Sequence, residues 1–323
     1  MTKEDVLSLL EHADAPVSGE QMCKTLGISR AAVWKAIEAL RAEGYDIEAA
    51  PRRGYRLRTH PLSDGALKQK LAGRFLPEHI IVLPEVDSTN NYLKTLAANG
   101  APDGTAVLSV KQTAGRGRRG RSFLSEPGGL YLSFLLRPHE PATALLHVTA
   151  LAGLCVCNAV EMVTGIQARV KWPNDPVLNG KKLCGILTEL SVSLETQEPE
   201  YVVIGIGVNC NQTAFPPELS MATSLRMELG EPVDVNAIAA ALLLELACMR
   251  ETFLSEKAAW VAAFSEKCLT VGKDIQILRG GEAIRARATG IGPDAELLVA
   301  YPDGTTGSVA SGEVSVRGLY GYV

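Results

Sequence analysis

Three strand-like runs, 168–171, 183–190 and 201–209, follow one another with only loops between them. Parallel neighbours need a crossover of a dozen or more residues, usually a helix, so these runs are expected to pair antiparallel. Further strand-like runs lie at 80–86, 105–112 and 129–136, and helical patterns near 88–98, 143–164, 234–254 and 256–266. That order points to an α+β fold, a mixed β-sheet with helices, and speaks against a doubly wound parallel sheet.

A chain of 323 residues is too long for one ordinary core and suits two or three domains. Residues 1–62 carry short helical patterns, 66–268 the mixed pattern, and 270–323 short strands with Gly-rich turns at Gly280-Gly281, Gly290, Gly292 and Asp303-Gly304. The last reads as a small β-barrel. His60-Pro-Leu-Ser-Asp-Gly65 reads as a polar joint between the first two.

In the first unit Ser18 is placed to cap a helix, with Gln21 three residues on. Gly27 breaks that helix, Ser29 caps the next, and Val33, Ile37 and Leu40 recur at helical spacing until Gly44. Runs 45–49 and 54–57 then pair around Pro51-Arg52-Arg53-Gly54. Helix, Gly turn, helix and hairpin together make a winged helix-turn-helix. Arg30, Ala31, Trp34 and Lys35 then face outward where base edges would lie, and Arg52, Arg53, Arg56 and Arg58 of the wing meet phosphates.

The formal charge of −4 excludes a chain basic throughout, but not a local basic face. Residues 24–58 hold Lys24, Arg30, Lys35, Arg41, Arg52, Arg53, Arg56 and Arg58 against Glu38, Glu43, Asp46 and Glu48. Such a stripe is the electrostatic footprint of a DNA-binding module, the alternative being a protein-docking one. The polar start Met1-Thr-Lys-Glu-Asp5 lacks the apolar core of a signal peptide. The uncharged run from Pro141 to Val160 is long enough to span a bilayer. Its Thr143, His147, Gly153 and Asn158 make a buried core helix the better reading, with no membrane partner. Seven scattered cysteines without a C-x-x-C pair read as reduced, buried thiols of a cytoplasmic protein, with no protein-held metal site.

The densest chemistry is Gly115-Arg116-Gly117-Arg118-Arg119-Gly120-Arg121. It matches G-x-G-x-x-G in form. However, Arg-Ser-Phe-Leu-Ser-Glu-Pro-Gly-Gly follows, which opens no helix, and Glu140 stands in a Pro-flanked loop rather than at a strand end. A mobile anion-binding loop fits better: glycines let the backbone wrap, guanidiniums grip phosphate oxygens, and mutual repulsion delays ordering until polyphosphate arrives. An RG-type RNA-binding tail is disfavoured because the segment is flanked by globular pattern.

Two clusters complete a pocket. Asp87-Ser88-Thr89-Asn90 ends a strand and opens a helix, suiting either a small polar ligand or an ordinary cap. Lys171-Trp-Pro-Asn174-Asp175 ends another strand, and Lys182-Leu-Cys-Gly185-Ile follows a turn at Asn179-Gly180. A lysine beside a glycine that admits close approach suits anion stabilisation.

Together with Gln112 and Gly205-Ile-Gly-Val-Asn209, these segments resemble the catalytic domain of biotin–protein ligases. With Ser29-Arg-Ala-Ala-Val-Trp-Lys35 the whole chain resembles the bifunctional bacterial form, a BirA-type ligase and biotin operon repressor. The C-terminal part matches mainly by position and by Gly312-Glu-Val-Ser-Val-Arg317. The resemblance implies a class II aminoacyl-tRNA synthetase/biotin ligase-like centre and an SH3-like C-terminal barrel. It implies ATP and biotin as substrates with Mg²⁺, a biotin carboxyl carrier domain and operator DNA as partners, and a homodimer when adenylate is bound.

By the same resemblance Ser88, Thr89, Asn90 and Gln112 hold the biotin ureido ring, with Gly115, Arg116 and Gly185 around it. Arg118, Arg119 and Arg121 close over triphosphate and adenylate. Lys182 contacts the biotin carboxylate and α-phosphate. Asn174, Asn209 and Arg317 lie near the adenylate, and Asp175 positions Mg²⁺ or the incoming lysine. Phe123 stands where the family usually has tryptophan, so it can stack but lacks the indole N–H. Ser29, Arg30, Ala31, Trp34 and Lys35, with Arg52 and Arg53, would contact DNA. The competing readings are a lipoate or other acyl–protein ligase, and a ligand-responsive regulator without catalysis.

Overall fold

The computed structural model describes residues 2–13, 15–50, 53–71, 73–74, 79–193, 195–196, 198–279, 282–310 and 315–318. Helices α1 (Thr2–Glu11), α2 (Gly19–Leu26) and α3 (Arg30–Ala42) precede a hairpin of β1 (Asp46–Ala50) and β2 (Gly54–Thr59). The caps lie where expected: Ser18 accepts from the Gln21 amide, and Ser29 from the Ala32 amide. Gly27 closes α2 in the left-handed region at φ 68°. Val6, Leu10, Met22, Val33, Ile37, Leu40 and Ile47 form a core separate from the rest. Gly54 is required where the wing meets the turn between α1 and α2, because a Cβ there would lie 2.1 Å from the Val17 carbonyl oxygen.

The joint at 60–65 is pinned to the next unit. Leu62 is buried in the main core, and α4 (Asp64–Leu71) adds Leu67 and Leu71. Its polar composition conceals this apolar spacing. The Ser63 amide donates to Asn236 Oδ1, Asn236 Nδ2 donates to the Pro61 carbonyl, and Asp46 pairs with Arg226 at 3.0 Å across the junction.

Next come β3 (Ile80–Leu83), α5 (Thr89–Ala98), β4 (Ala106–Ser109), β5 (Leu130–Leu136) and α6 (Val148–Thr164). They are followed by β6 (Arg169–Lys171), β7 (Asp175–Leu178), β8 (Lys181–Lys182), β9 (Cys184–Val192), β10 (Pro199–Val208), α7 (Leu225–Leu229) and α8 (Val235–Thr252). The main sheet has the order β3-β4-β5-β10-β9; β3 and β4 run parallel and every other pair antiparallel, so the sheet is mixed as expected. One expectation needs correction. β9 and β10 do pair antiparallel, but β6 leaves this sheet and joins β7 and β8 in a small one of its own. The tight turn at Asn179 (φ 49°) and Gly180 (φ 75°) folds β7 back on β8 and leaves β6 paired with β7.

The apolar run 142–164 is long and apolar enough to cross a membrane, yet 72% of its window is buried inside the fold, where α6 lies against α8. Cys155, Cys157, Cys184, Cys210 and Cys268 are buried free thiols, whereas Cys248 is exposed. After α9 (Lys257–Lys267), strands β11 (Asp274–Arg279), β12 (Glu282–Ile291), β13 (Leu297–Ala300), β14 (Thr306–Val309) and β15 (Ser315–Gly318) form an antiparallel sheet in the order β14-β13-β12-β11-β15. Among the described residues no pairing joins β14 to β15. Ile275, Ile277, Ala288, Leu297 and Val299 continue the main core, and the buried Trp172 donates Nε1–H to the Ala295 carbonyl at 2.9 Å.

Candidate active site

The site lies where β3 hands the chain to α5. Ser88 occupies the N-cap position of α5 but makes no side-chain cap hydrogen bond, so the ordinary-cap reading does not account for its buried hydroxyl. Thr89 and Asn90 are also buried. Gln112, arriving from the end of β4, accepts at Oε1 from the Thr89 amide (2.8 Å), with the Thr89 hydroxyl 3.1 Å away, and donates through Nε2 to Ser125 Oγ at 2.8 Å. Beneath them Ser133 of β5 lies 2.8 Å from Thr89 Oγ1 and 2.6 Å from Asn90 Oδ1.

The arginine–glycine segment is a narrow hairpin. The Phe123 amide donates to the Gly115 carbonyl (2.9 Å) and the Gly117 amide to the Arg121 carbonyl (2.7 Å), with a bridge between Arg116 and Ser122. Only the tip, Arg118–Gly120, forms a single 3₁₀ turn; no helix follows, in keeping with the rejection of a dinucleotide fingerprint. The freedom expected of the whole loop is therefore restricted at its stem. Gly115 must be glycine, since a Cβ would come within 2.4 Å of the Phe123 carbonyl oxygen.

Each described arginine has its own surroundings. Arg116 donates to Asn91 Oδ1 (3.1 Å) and reaches Glu189 Oε1 (3.3 Å). Arg118 donates to Asn174 Oδ1 at 2.8 Å, and Arg121 is exposed. The side chains of Arg119 and Arg317 lie outside the described residues, as do residues Arg52 and Gly312–Val314.

The far wall is built by β8, β9 and β10. Lys182 Nζ pairs with Asp175 Oδ1 at 2.6 Å across the small sheet. Gly185 and Gly207 face each other in the β9–β10 ladder. A Cβ at Gly185 would lie 2.9 Å from the Phe123 ring and 3.6 Å from Lys182 Cε, and one at Gly207 2.4 Å from the ring. The two glycines are thus a floor on which the loop aromatic lies, with Lys182 at its edge. Phe123 also meets Tyr131 edge-on at 6.4 Å. Two asparagines brace this wall: Asn174 Nδ2 donates to the Ile186 carbonyl (2.6 Å), and Asn209 Nδ2 to the Thr223 carbonyl (2.9 Å).

Several participants carried no motif. Ser133 is one, although the lone serine in the strand Leu-Tyr-Leu-Ser-Phe-Leu-Leu, buried on both faces, was a usable signal. Glu189, Lys94 and Asn91 are others. The Glu189 carboxylate accepts from Asn90 Nδ2 (2.8 Å) and Lys94 Nζ (3.0 Å). Among the described residues no group of three or more His, Cys, Asp or Glu side chains is placed to hold a metal ion.

On the first unit, Arg30, Ala31, Trp34 and Lys35 are exposed along one end of α3, Trp34 at 60%. Arg53 and Arg56 of the hairpin are exposed too. Arg58 departs from its expected role: it pairs with Glu48 at 2.8 Å across the wing, so part of its charge is met within the protein.

The model of the biotin/lipoate A/B protein ligase family matches residues 82–209, and a helix-turn-helix domain model matches residues 2–56. A bifunctional ligase/repressor, BirA, of Bacillus spizizenii is 42% identical over 249 residues, covering 75% of this chain and 76% of that protein. The BirA protein of Escherichia coli is 33% identical over 303 residues, covering 93% of this chain and 92% of that one. Among solved structures, the biotin protein ligase of Aquifex aeolicus in complex with biotin and ATP superimposes with a TM-score of 0.64 at 33% identity, covering 74% of this chain and 98% of that one.

Proposed function

The chain belongs to the BirA-type family of bifunctional biotin–protein ligases and repressors, and we propose that it makes biotinoyl-5′-AMP from biotin and ATP, transfers biotin to one lysine of a biotin carboxyl carrier domain, and represses biotin genes. A carboxylate is a poor acyl donor until one oxygen becomes part of a good leaving group. In the first step the biotin carboxylate attacks the α-phosphate of ATP and pyrophosphate departs. In the second a lysine ε-amine attacks the acyl carbon and AMP departs.

Ser88, Thr89 and Gln112 hold the ureido ring, with Asn90 backing them through Ser133 and Gly115, Arg116 and Gly185 enclosing it. Lys182 stabilises charge building at the carboxylate and α-phosphate, and is most effective in a site that excludes water. Arg118, Arg119 and Arg121 grip the phosphates, with Arg118 held in place by Asn174. Phe123 covers the mixed anhydride, and Asn209 and Arg317 flank the adenylate. Asp175 holds the Lys182 ammonium until the substrate phosphate displaces it, and then receives the incoming lysine. Mg²⁺ comes in with the triphosphate, since such ions are bound largely through substrate phosphates and water.

The observation that carries this reading is the meeting of Lys182 and Phe123 on Gly185: it joins the cation, the loop and the glycine floor in one place. The test is incubation with ATP, Mg²⁺, biotin and a carrier domain, read by mass spectrometry. One biotin on one lysine is expected, and none when lipoate replaces biotin; modification by lipoate alone would overturn it.

For repression, the exposed Arg30, Ala31, Trp34 and Lys35 read a major groove while Arg52 and Arg53 meet the backbone. A homodimer formed on adenylate binding would match a palindromic operator. The finer architecture goes with this reading: boundaries at 1–62, 66–268 and 270–323, a C-terminal sheet closed as an SH3-like barrel, and a cytoplasmic protein with reduced thiols. The separate core of the first unit supports its independence, with Leu62 already buried in the core of the second.

A further inference from the structure

We infer that Glu189 is a positioning residue for the biotin pocket: its carboxylate fixes which way the buried Asn90 amide faces, and through Ser133 keeps the Thr89 oxygen free to accept an N–H of the ureido ring. The inference rests on the assignment of Thr89 and Gln112 to that pocket.

Asn90 has one donating and one accepting end, whereas a carboxylate only accepts. Its Nδ2 lies 2.8 Å from Glu189 Oε2 and 3.4 Å from the Leu187 carbonyl, so the NH₂ faces β9 and the amide oxygen faces Ser133. Ser133 has one proton and two neighbouring oxygens, Asn90 Oδ1 at 2.6 Å and Thr89 Oγ1 at 2.8 Å. With the amide oxygen presented, that proton goes to the nearer acceptor. Ser133 Oγ then takes the Thr89 proton at 2.8 Å, Gln112 Oε1 being met by the Thr89 amide, and both Thr89 lone pairs stay open to a ligand.

If Asn90 turned over, it would donate to Ser133, whose proton would then fill one of the two Thr89 lone pairs and turn the Thr89 proton toward Gln112 Oε1. Nothing on the Ser133 side forbids that arrangement. Only on the other side does it fail, where the amide oxygen would face a carboxylate. Asn90 also has no room to swing aside, because a Cβ at Gly205 would lie 2.1 Å from its Oδ1. Glu189 stays ionised in this setting: burial alone would raise its carboxyl, but hydrogen bonds from Asn90 and Lys94 and the charges of Lys94 and Arg116 hold it below the usual range. The same carboxylate holds Arg116 at the root of the loop.

The test uses Glu189→Gln, which keeps size and removes the acceptor-only character, in full-length protein. The KM for biotin is expected to rise about tenfold, with the KM for ATP within about twofold, since only the ureido contacts lose an acceptor. In a Ser133→Ala background, where the relay to Thr89 is cut, Glu189→Gln should change the biotin KM by no more than about twofold, the share left to the half-exposed Arg116 pair. Asn90→Ala, which also sends the Ser133 proton to Thr89, should raise it by a similar factor. An unchanged biotin KM in either single variant, equal rises for biotin and ATP, or a full tenfold effect surviving in Ser133→Ala would each overturn the role. Unmutated protein that forms no adenylate from biotin would overturn the ligase assignment itself.

Discussion

The Arg118 guanidinium donates to Asn174 Oδ1 at 2.8 Å, while Asn174 donates through Nδ2 to the Ile186 carbonyl at 2.6 Å. The tip of the loop is thereby fastened to the backbone of β9, next to Gly185 and Lys182. An arginine so held needs little reorganisation when phosphate arrives. Asn174→Ala should lower kcat/KM for adenylate formation about tenfold, as expected for a lost charge-assisted hydrogen bond in a positioned group. Steady-state kinetics at saturating biotin checks this.

Lys182 and Asp175 form an ion pair whose side chains remain 33% and 21% exposed, so its contribution to stability is small. Its value is chemical. Lys182→Ala should reduce adenylate formation by about 10²–10³-fold, the range for removing a group that stabilises developing charge. The thermal midpoint should hardly move. A melt and a rate on the same sample separate the two effects.

Gly207 faces the Phe123 ring with no room for a methyl group. Gly207→Ala should lift the aromatic off its floor and loosen the hairpin stem. Limited trypsinolysis should then cut faster at the loop arginines, by about tenfold if loop closure loses about 1.4 kcal/mol and cleavage follows the open population. A matching rise in biotin KM is expected.

His147 is fully buried, with Nε2 3.0 Å from the Phe253 carbonyl and, among the described residues, no partner at Nδ1. Burial pushes its pKa down, a shift the Phe253 hydrogen bond opposes and nearby Lys257 reinforces. The unfolded chain therefore takes up this proton more readily than the folded one. Above pH 6.5, the ordinary imidazole value, the residue is neutral in both states and costs nothing. As pH falls below that, stability drops by up to about 1.4 kcal/mol per unit until the folded pKa is reached. Denaturant titrations between pH 7 and 5 should show this slope, reduced in His147→Gln.

The legible parts were those written in local chemistry. Ser18, Gly27 and Ser29 announced two helices and the turn between them because caps act within three or four residues. The loop was legible from its own composition. The small sheet was not, because β8 is only two residues long and the visible turn at Asn179-Gly180 did not say which strands it joins. α4 was hidden by the polar residues around Leu62, Leu67 and Leu71. Glu189 could not be found at all from spacing: it is 99 residues from Asn90, and only the β9–β10 register brings them together.

Biotin-dependent exchange of labelled pyrophosphate into ATP reports adenylate formation directly, without carrier or DNA. With purified protein, Mg²⁺ and ATP, exchange should require biotin, fail with lipoate, and fall about a hundredfold in Lys182→Ala. Exchange supported by lipoate and not biotin, or no exchange at all from folded protein, would contradict the assignment of this site.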